Sequence, residues 1–358
     1  MKYLLALLTI LFLRIDIHAQ VTYTISGTVR SSKGPALQSA TVFVAGSEKI
    51  MATDADGDFN FKVKPGIYQV VVTMVGYNAI KQTVIIENKD ALLDVKLSES
   101  ETTLNEVVIG GKVNKSRQRQ LDMFTRIFIG RSINARDCKI LNTQLVKFYE
   151  SQTSLYATSS DFLVIENKAL GYRIKYLLRY FRGGYKDNTF QYEGDFSFEP
   201  LVGTPEQQTI WENNRKLAYQ GSMMHFLRSV YAGNARKEGF ILYEVTAYDK
   251  PVIDMRPMPI HPDQILKRLG NNRAGFKFGD RWFYVLFDKE KAAQEDPIAG
   301  DKDVRIYRTP PTGTVYKIYG QFDSDGCLEE YDLKNQYIRG LMAQKRVADQ
   351  LPFEYKPE

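Results

Sequence analysis

Cysteine is nearly absent: the 358 residues hold only Cys138 and Cys327. That excludes a disulfide scaffold, a C-x-x-C redox pair and any cysteine-rich zinc site, and it leaves open whether the two sulfurs are joined or are separate buried thiols. Histidine is as scarce, with His18, His225 and His261. Three residues beyond the last two stand Arg228 and Gln264. Neither therefore supplies the H-x-x-E pair of a zinc carboxypeptidase, and H-E-x-x-H is missing as well. No G-x-S-x-G elbow, S-x-x-K pair or G-x-x-x-x-G-K-[ST] loop occurs, and Gly110-Gly111-Lys112-Val113 lacks the spacing to cradle phosphates. Past the first twenty residues no apolar run is long enough to cross a bilayer as a helix. Neither sign of charge dominates. The 48 Lys and Arg against 42 Asp and Glu give +6, too diffuse a balance to argue for nucleic acid. No cofactor and no metal is implied by these patterns.

What is present is a globular composition, 44% hydrophobic and 25% charged, with 22 Tyr and 20 Phe that favour strands. At about 150 residues per domain the chain has room for roughly two domains, a leader and a linker. Residues 1–20 open with Lys2, continue as Tyr3-Leu4-Leu5-Ala6-Leu7-Leu8-Thr9-Ile10-Leu11-Phe12-Leu13, and close with Ile17-His18-Ala19-Gln20. A positive start, a short apolar stretch and a small residue at the cut predict a cleaved signal peptide. The alternative, an anchor helix, is weakened by Arg14 and Asp16, which interrupt the run. With no cysteine before Cys138, a lipid-anchored mature N-terminus is excluded.

From residue 21 to 98 short alternating runs are punctuated by Gly, Pro and Asp. They are Tyr23-Thr24-Ile25-Ser26-Gly27-Thr28-Val29, Gly34-Pro35-Ala36-Leu37, Ala40-Thr41-Val42-Phe43-Val44, Thr53-Asp54-Ala55-Asp56-Gly57-Asp58-Phe59, Pro65-Gly66-Ile67-Tyr68 and Gly76-Tyr77. Such spacing predicts a small antiparallel sandwich. Asp54, Asp56 and Asp58 mimic the start of a calcium loop, but Phe59 and Pro65 stand where the loop needs glycine and a bidentate Glu, so an acidic hairpin turn is expected. Asp323-Ser324-Asp325-Gly326 likewise reads as a turn.

This order of motifs resembles the carboxypeptidase-regulatory-like domain, a transthyretin-like β-sandwich, over most of residues 21–98. Such domains open many exported proteins of Bacteroidota-type bacteria, including starch-utilisation-type TonB-dependent receptors. The resemblance implies a periplasmic or outer-membrane-associated setting. Residues 99–120 read as a linker with one extended piece, Leu104-Asn105-Glu106-Val107-Val108-Ile109. That piece is similar to the segment after the same domain in those receptors and can resemble a TonB box. Roughly 240 residues follow it, too few for a plug and a 22-stranded barrel at about ten residues per strand, so the receptor reading is set aside. The piece is then inherited linker, or a strand that pairs with a partner's sheet edge.

Residues 121–358 are expected to form an antiparallel-sheet-rich α+β domain. Tyr172, Ile174, Tyr176, Leu178 and Tyr180 alternate with Arg173, Lys175 and Arg179, and Phe190, Tyr192, Phe196 and Phe198 answer them across Gly183-Gly184. This predicts a long hairpin whose aromatic face is core. Glu193 and Asp195 should neutralise its cationic face, which otherwise suits an anionic glycan or lipopolysaccharide. A helix is expected from Pro205 to Tyr231, capped at Thr204. A short helix at Pro262 to Leu269, strands at Phe240 to Val245, Trp282 to Phe287, Val304 to Tyr307 and Val315 to Phe322, and a C-terminal helix near Tyr337 to Ala348 complete the reading.

On the long helix Trp211, Arg215, Ala218, Ser222, His225 and Ser229 fall on one stripe. A seam this polar has two explanations. It is a hydrogen-bonded packing surface, or it is a site where His225 is a base or anion anchor and Arg215 and Arg228 stabilise charge. The failed motif search favours a non-enzymatic periplasmic or outer-membrane-associated protein. In that reading the sandwich is an interaction or spacer module and the larger domain binds an envelope protein or polysaccharide. An envelope-polymer hydrolase or transferase built on His225 is the alternative. A glycan-binding module is another, and it requires exposed aromatics on the Tyr172 to Phe198 hairpin.

Overall fold

The computed structural model describes residues 21–100, 115–186, 189–249, 252–270, 272–277, 281–294, 304–306, 313–317, 321–328 and 338–357. The signal peptide expected at 1–20 and the Leu104–Ile109 piece lie outside these residues.

Seven strands follow one another from Tyr23: β1 (Tyr23–Ser31), β2 (Thr41–Val44), β3 (Ile50–Ala52), β4 (Asp58–Val63), β5 (Gly66–Thr73), β6 (Ile80–Ile86) and β7 (Ala91–Leu97). They form two sheets, ordered β4-β1-β7 and β3-β2-β5-β6. In β4 the period-two pattern buries Phe59, Phe61 and Val63 and leaves Asp58, Asn60 and Lys62 outside. The core between the sheets holds Ile25, Val29, Val42, Phe59, Val70, Val72, Ile86 and Val95. The expected sandwich is thus present, and β1 pairs in parallel with β7, the strand that closes it. The acidic turn is held by Asp54, whose Oδ1 accepts the N–H groups of Asp56 (3.0 Å) and Asp58 (2.8 Å). Its carboxylate is engaged by its own loop.

Beyond the two sheets of the sandwich a six-stranded sheet, called the second sheet below because it forms the next layer of the chain, is built from β8 (Cys138–Ile140), β9 (Val146–Glu150), β10 (Ser154–Ser159), β11 (Leu163–Asn167), β12 (Tyr172–Gly184) and β13 (Phe190–Pro200). Its order is β8-β11-β12-β10-β9, with β13 on the other side of β12. The predicted hairpin is β12–β13, in register from Tyr172 opposite Pro200 to Gly183 opposite Phe190. Tyr172, Ile174, Tyr176 and Leu178 are core, as expected, but Tyr180 is not. A bulge between Leu178 and Tyr180 inverts the alternation, so Phe181 takes the inward place. The cationic face is neutralised: Lys175 pairs with Glu199 (2.5 Å), Arg173 with Glu166 (3.6 Å), and Arg179 with Glu193 (2.9 Å) and Asp195.

The linker expected at 99–120 does not run that far, because helix α1 (Lys115–Phe128) begins inside it. Its inward residues Phe124 and Phe128 stack on each other (4.9 Å) and meet Phe181, Tyr176 and Tyr192 of the hairpin edge-on. Those contacts cover one face of the second sheet and give the segment its helical packing.

The chain continues into helices α2 (Pro205–Tyr219) and α3 (Met223–Ala232). The expected start is correct: Thr204 and Gln207 form a reciprocal capping box with Pro205 at the first position. The single helix to Tyr231 is not. Gly221 adopts φ +68°, and Ser222 starts α3 by accepting the N–H of His225 at 3.1 Å. The break passes the chain between two cores. Ala218 and Tyr219 pack on the second sheet, whereas Phe226, Leu227 and Val230 pack on the sheets that follow.

Those comprise β14 (Phe240–Asp249), β15 (Val252–Met255), β16 (Leu266–Gly270), β17 (Arg273–Phe276), β18 (Trp282–Phe287), β19 (Val304–Ile306), β20 (Gly313–Lys317), β21 (Gln321–Asp323) and β22 (Ile338–Gly340). Their orders are β19-β15-β14-β18-β20-β22 and β16-β17-β21. Three expectations need correction. Only Pro262–Ile265 is helical, since Leu266 joins β16 and pairs with Phe276. The strand expected from Val315 to Phe322 is divided between β20 and β21, which serve different sheets. The C-terminal helix is reduced to Leu341–Gln344, because Ile338–Gly340 is recruited as an edge strand and Gly340 turns the chain at φ +117°.

The sandwich is docked on the rest of the chain. Gly46 N–H donates to Phe196 O (2.7 Å), Phe198 N–H to Ser47 O (2.9 Å), and Phe353 N–H to Gly46 O (2.9 Å). Phe43 meets Phe162 edge-on at 5.5 Å. Lys81 pairs with the buried Asp195 at 3.1 Å, and Arg273 with Glu87 at 2.6 Å. Asp323 reaches across with Oδ2 to the N–H of Ile67 (3.0 Å), while its Oδ1 accepts the N–H groups of Asp325 and Cys327 (2.9 Å each). Burial pushes its carboxyl up to about 6. Backbone hydrogen bonds, an aromatic contact and partly buried ion pairs together make this a fixed junction.

Candidate functional site

The polar stripe resolves into two separate devices. On α2, Trp211, Asn214 and Arg215 lie within one turn and face the tight β11–β12 turn. Trp211 Nε1 donates to Lys168 O, Asn214 Nδ2 to Ala169 O, and Arg215 Nε to Leu170 O, each at 2.8 Å. Three successive carbonyls that no strand satisfies are thereby paired. The Arg215 guanidinium also lies 4.2 Å from the Tyr172 ring centre.

On α3, His225 is 3% exposed and ringed by Tyr219, Phe240 and Phe287. Its Nδ1 accepts the Gly221 N–H at 3.1 Å, so the proton sits on Nε2, which donates to Glu238 Oε2 at 3.2 Å. Burial holds its pKa below 6.5, with Glu238 opposing the shift only in part. Both ring nitrogens are engaged and the ring is enclosed by apolar side chains. Arg228, one turn on, sends Nε to Asp325 O (2.9 Å), Nη1 to Tyr355 O (2.7 Å) and Nη2 to Phe353 O (2.9 Å). It therefore clamps the Asp323 turn and the C-terminal tail together. Each of Arg215, His225 and Arg228 has its polar atoms committed to partners of its own, while His225 and Arg228 both lie against the Tyr219 ring, at 4.6 Å and 5.5 Å from its centre.

Cys138 and Cys327 are free, buried thiols. Burial pushes Cys138 up to about 12, and Cys327 is raised too by burial and by Asp323 and Asp325. They are therefore not nucleophiles at neutral pH.

A cleft of about 560 Å³ lies elsewhere, between the outer face of α1 and the end of the β12–β13 hairpin. Lys115, Gln118, Arg119, Asp122 and Arg126 line it from the helix, and Glu150, Leu155 and Tyr185 from β9, β10 and the end of β12. Tyr185 is 43% exposed, and its hydroxyl donates to Glu150 Oε1 at 3.0 Å. It is one exposed aromatic where a glycan-binding reading requires several, since Tyr172, Tyr176, Phe181 and Phe198 of the hairpin are buried. Sequence reasoning missed the cleft because its walls come from four elements that only the fold brings together. The one available signal was Lys115 and Arg119, inside the segment read as linker, four residues apart and in step with Arg126 beyond its end.

The CarboxypepD_reg-like domain family matches residues 25–109, which takes in the sandwich and extends past Ser98. The TonB-dependent receptor SusC of Bacteroides thetaiotaomicron is 34% identical over 110 residues, which are 31% of this chain and 10% of the receptor. The chain thus spans about a tenth of the length of the curated relative it matches. Among solved structures, a DUF3823 family protein from Bacteroides ovatus is 9% identical with a TM-score of 0.20, over 51% of this chain and 83% of that one. Chlorocatechol 1,2-dioxygenase from Pseudomonas putida is 14% identical with a TM-score of 0.20, over 22% of this chain and 60% of the enzyme. At such TM-scores these structural likenesses carry no argument about chemistry. Among the described residues no helix is long and apolar enough to cross a membrane.

Proposed function

We propose, for a chain that carries a CarboxypepD_reg-like domain over residues 25–109, the role of a non-enzymatic, envelope-associated binding protein. The sandwich is a fixed platform and the larger region makes the binding contact. The observation that carries this reading is the commitment of the polar stripe. The residues best suited to acid, base or anion chemistry each satisfy backbone or carboxylate partners inside the fold. An envelope setting is supported by the match of 110 residues of the chain to a TonB-dependent receptor and by the sequence of residues 1–20. The docked seam argues for a platform over a flexible spacer.

The test is site-directed photo-cross-linking of the full chain in an intact envelope, with the reactive residue placed either at Leu92, 82% exposed on the sandwich, or at Tyr185. Capture of one identified envelope component from either position supports an envelope-associated binding protein; capture from Tyr185 assigns the contact to the larger region, and capture from Leu92 alone moves it to the sandwich. Failure of both positions while the protein fractionates away from the envelope overturns it.

A further inference from the structure

The cleft beside α1 has a composition that selects its occupant. The helix is fastened by Phe124 and Phe128 to the second sheet, so its opposite side is presented at a fixed height. On that side Lys115, Arg119, Asp122 and Arg126 recur at steps of three and four residues and line the cleft with Gln118 and Met123. Three cations therefore face two carboxylates. Both carboxylates already have local partners: Asp122 Oδ1 accepts from Gln118 Nε2 at 2.8 Å, and Glu150 Oε1 accepts from Tyr185 and stands 3.9 Å from Arg119. Gln118 and Tyr185 are neutral donors, so both carboxylates keep their charge and the lining carries a net +1, while among the described residues Lys115 and Arg126 have no ion-pair partner.

Its volume of about 560 Å³ suits a small ligand and is wide enough for more than one sugar ring. Met123 supplies a partly exposed apolar contact, and Tyr185 supplies an aromatic ring whose position is set by its hydroxyl bond to Glu150. Carboxylate-seeking cations, side-chain amides, a half-exposed tyrosine and an apolar contact match a sugar acid. Its carboxylate takes the guanidinium, its hydroxyls take the amides, and its C–H face covers the ring.

We propose that this cleft binds a carboxylated oligosaccharide, a uronic-acid-containing glycan, with Arg126 and Lys115, about 16 Å apart along α1, on the carboxylates of two different sugar units and Tyr185 against a sugar ring. The inference rests on the reading of the chain as a binding protein and names the chemistry of its ligand. It is tested by calorimetry on the full chain with tetragalacturonate, with a neutral galactose tetrasaccharide and with a tetraglutamate peptide.

Tetragalacturonate is expected to bind at least about tenfold more tightly than either comparison ligand, because each charge-assisted hydrogen bond carries roughly that factor. Arg126→Ala and Tyr185→Phe separate the contributions. The first is expected to lose about tenfold in affinity. The second keeps the ring but removes the hydroxyl that positions it, so it is expected to weaken binding less than Tyr185→Ala, which loses it. Arg136→Ala, at an exposed arginine that does not line the cleft, is the control for general charge and is expected to bind like wild type.

Equal affinity for the neutral sugar, tighter binding of the peptide, no binding at all, or insensitivity to Arg126→Ala each overturns the proposal. Circular dichroism of each variant separates loss of fold from loss of contact. Envelope capture from Leu92 with no uronate affinity refutes the ligand class alone. Absence of both refutes the binding reading as well.

Discussion

Replacing Arg228 by alanine tests directly whether the polar stripe is structural. Arg228 is 9% exposed, and its guanidinium gives three hydrogen bonds, to Asp325 O, Phe353 O and Tyr355 O. A hydrogen bond from a charged donor contributes about 1.5–3 kcal/mol. Phe353 and Tyr355 are only half-buried, so their freed carbonyls can be rehydrated and part of the loss is recovered. The remaining destabilisation should be about 3–5 kcal/mol. The damage should also spread to the seam, because the Phe353 N–H donates to Gly46 O on the sandwich. Arg228→Lys keeps the charge on a compact head that cannot reach three diverging carbonyls, so it should recover less than half. The assay is urea unfolding of the three proteins, with amide exchange followed at Gly46 and Phe353. A destabilisation by Arg228→Ala of less than about 0.5 kcal/mol, the scatter of ordinary surface changes, would refute the clamp.

Three further outcomes follow from the same geometry. His225 is held neutral in the fold, with a pKa below its ordinary 6.5. Its contribution is present at neutral pH and is lost as pH falls below about 6.5 towards the folded value, where the unfolded chain binds the extra proton. His225→Gln should flatten stability in that window, as read from unfolding midpoints between pH 7 and pH 5. Gly46 has φ +76°, and a Cβ there would stand 2.3 Å from the Phe353 ring. Gly46→Ala should therefore cost about 1–3 kcal/mol and expose the C-terminal tail to limited proteolysis, while an intact tail would count against the described seam. Both cysteines should resist alkylation in the native protein and react fully in denaturant without reductant, each adding one label by mass. A single resistant pair in denaturant would indicate a disulfide.

The sandwich was legible because its signals are local. Alternation in Asp58–Val63 and the turn at Asp54 each fix a strand without reference to the rest of the chain. The β12–β13 hairpin was legible for the same reason, and its charge pairing followed from register. The bulge was not, since Tyr180 and Phe181 are both aromatic and either can face inward.

The α2–α3 break was written in Gly221-Ser222, a positive-φ residue followed by a cap, but the polar stripe runs unbroken through it and masks the signal. Helix α1 was hidden by the composition of the segment before it. The seam and the cleft were illegible in principle. Gly46 meets Phe353, Ile67 meets Asp323, and Tyr185 meets α1 only once three sheets have been assembled. The stripe itself was identified correctly as unusual. Its meaning depended on where the carbonyls of Lys168, Ala169 and Leu170 would fall.

The most direct measurement is the size distribution of envelope polysaccharide after prolonged incubation with the purified full chain, taken together with the fraction of polymer retained on the protein. The account predicts retention with no change in chain length, unaffected by His225→Gln wherever that variant remains folded. Shortened or transferred products that disappear in His225→Gln would contradict it and return His225 to a catalytic role.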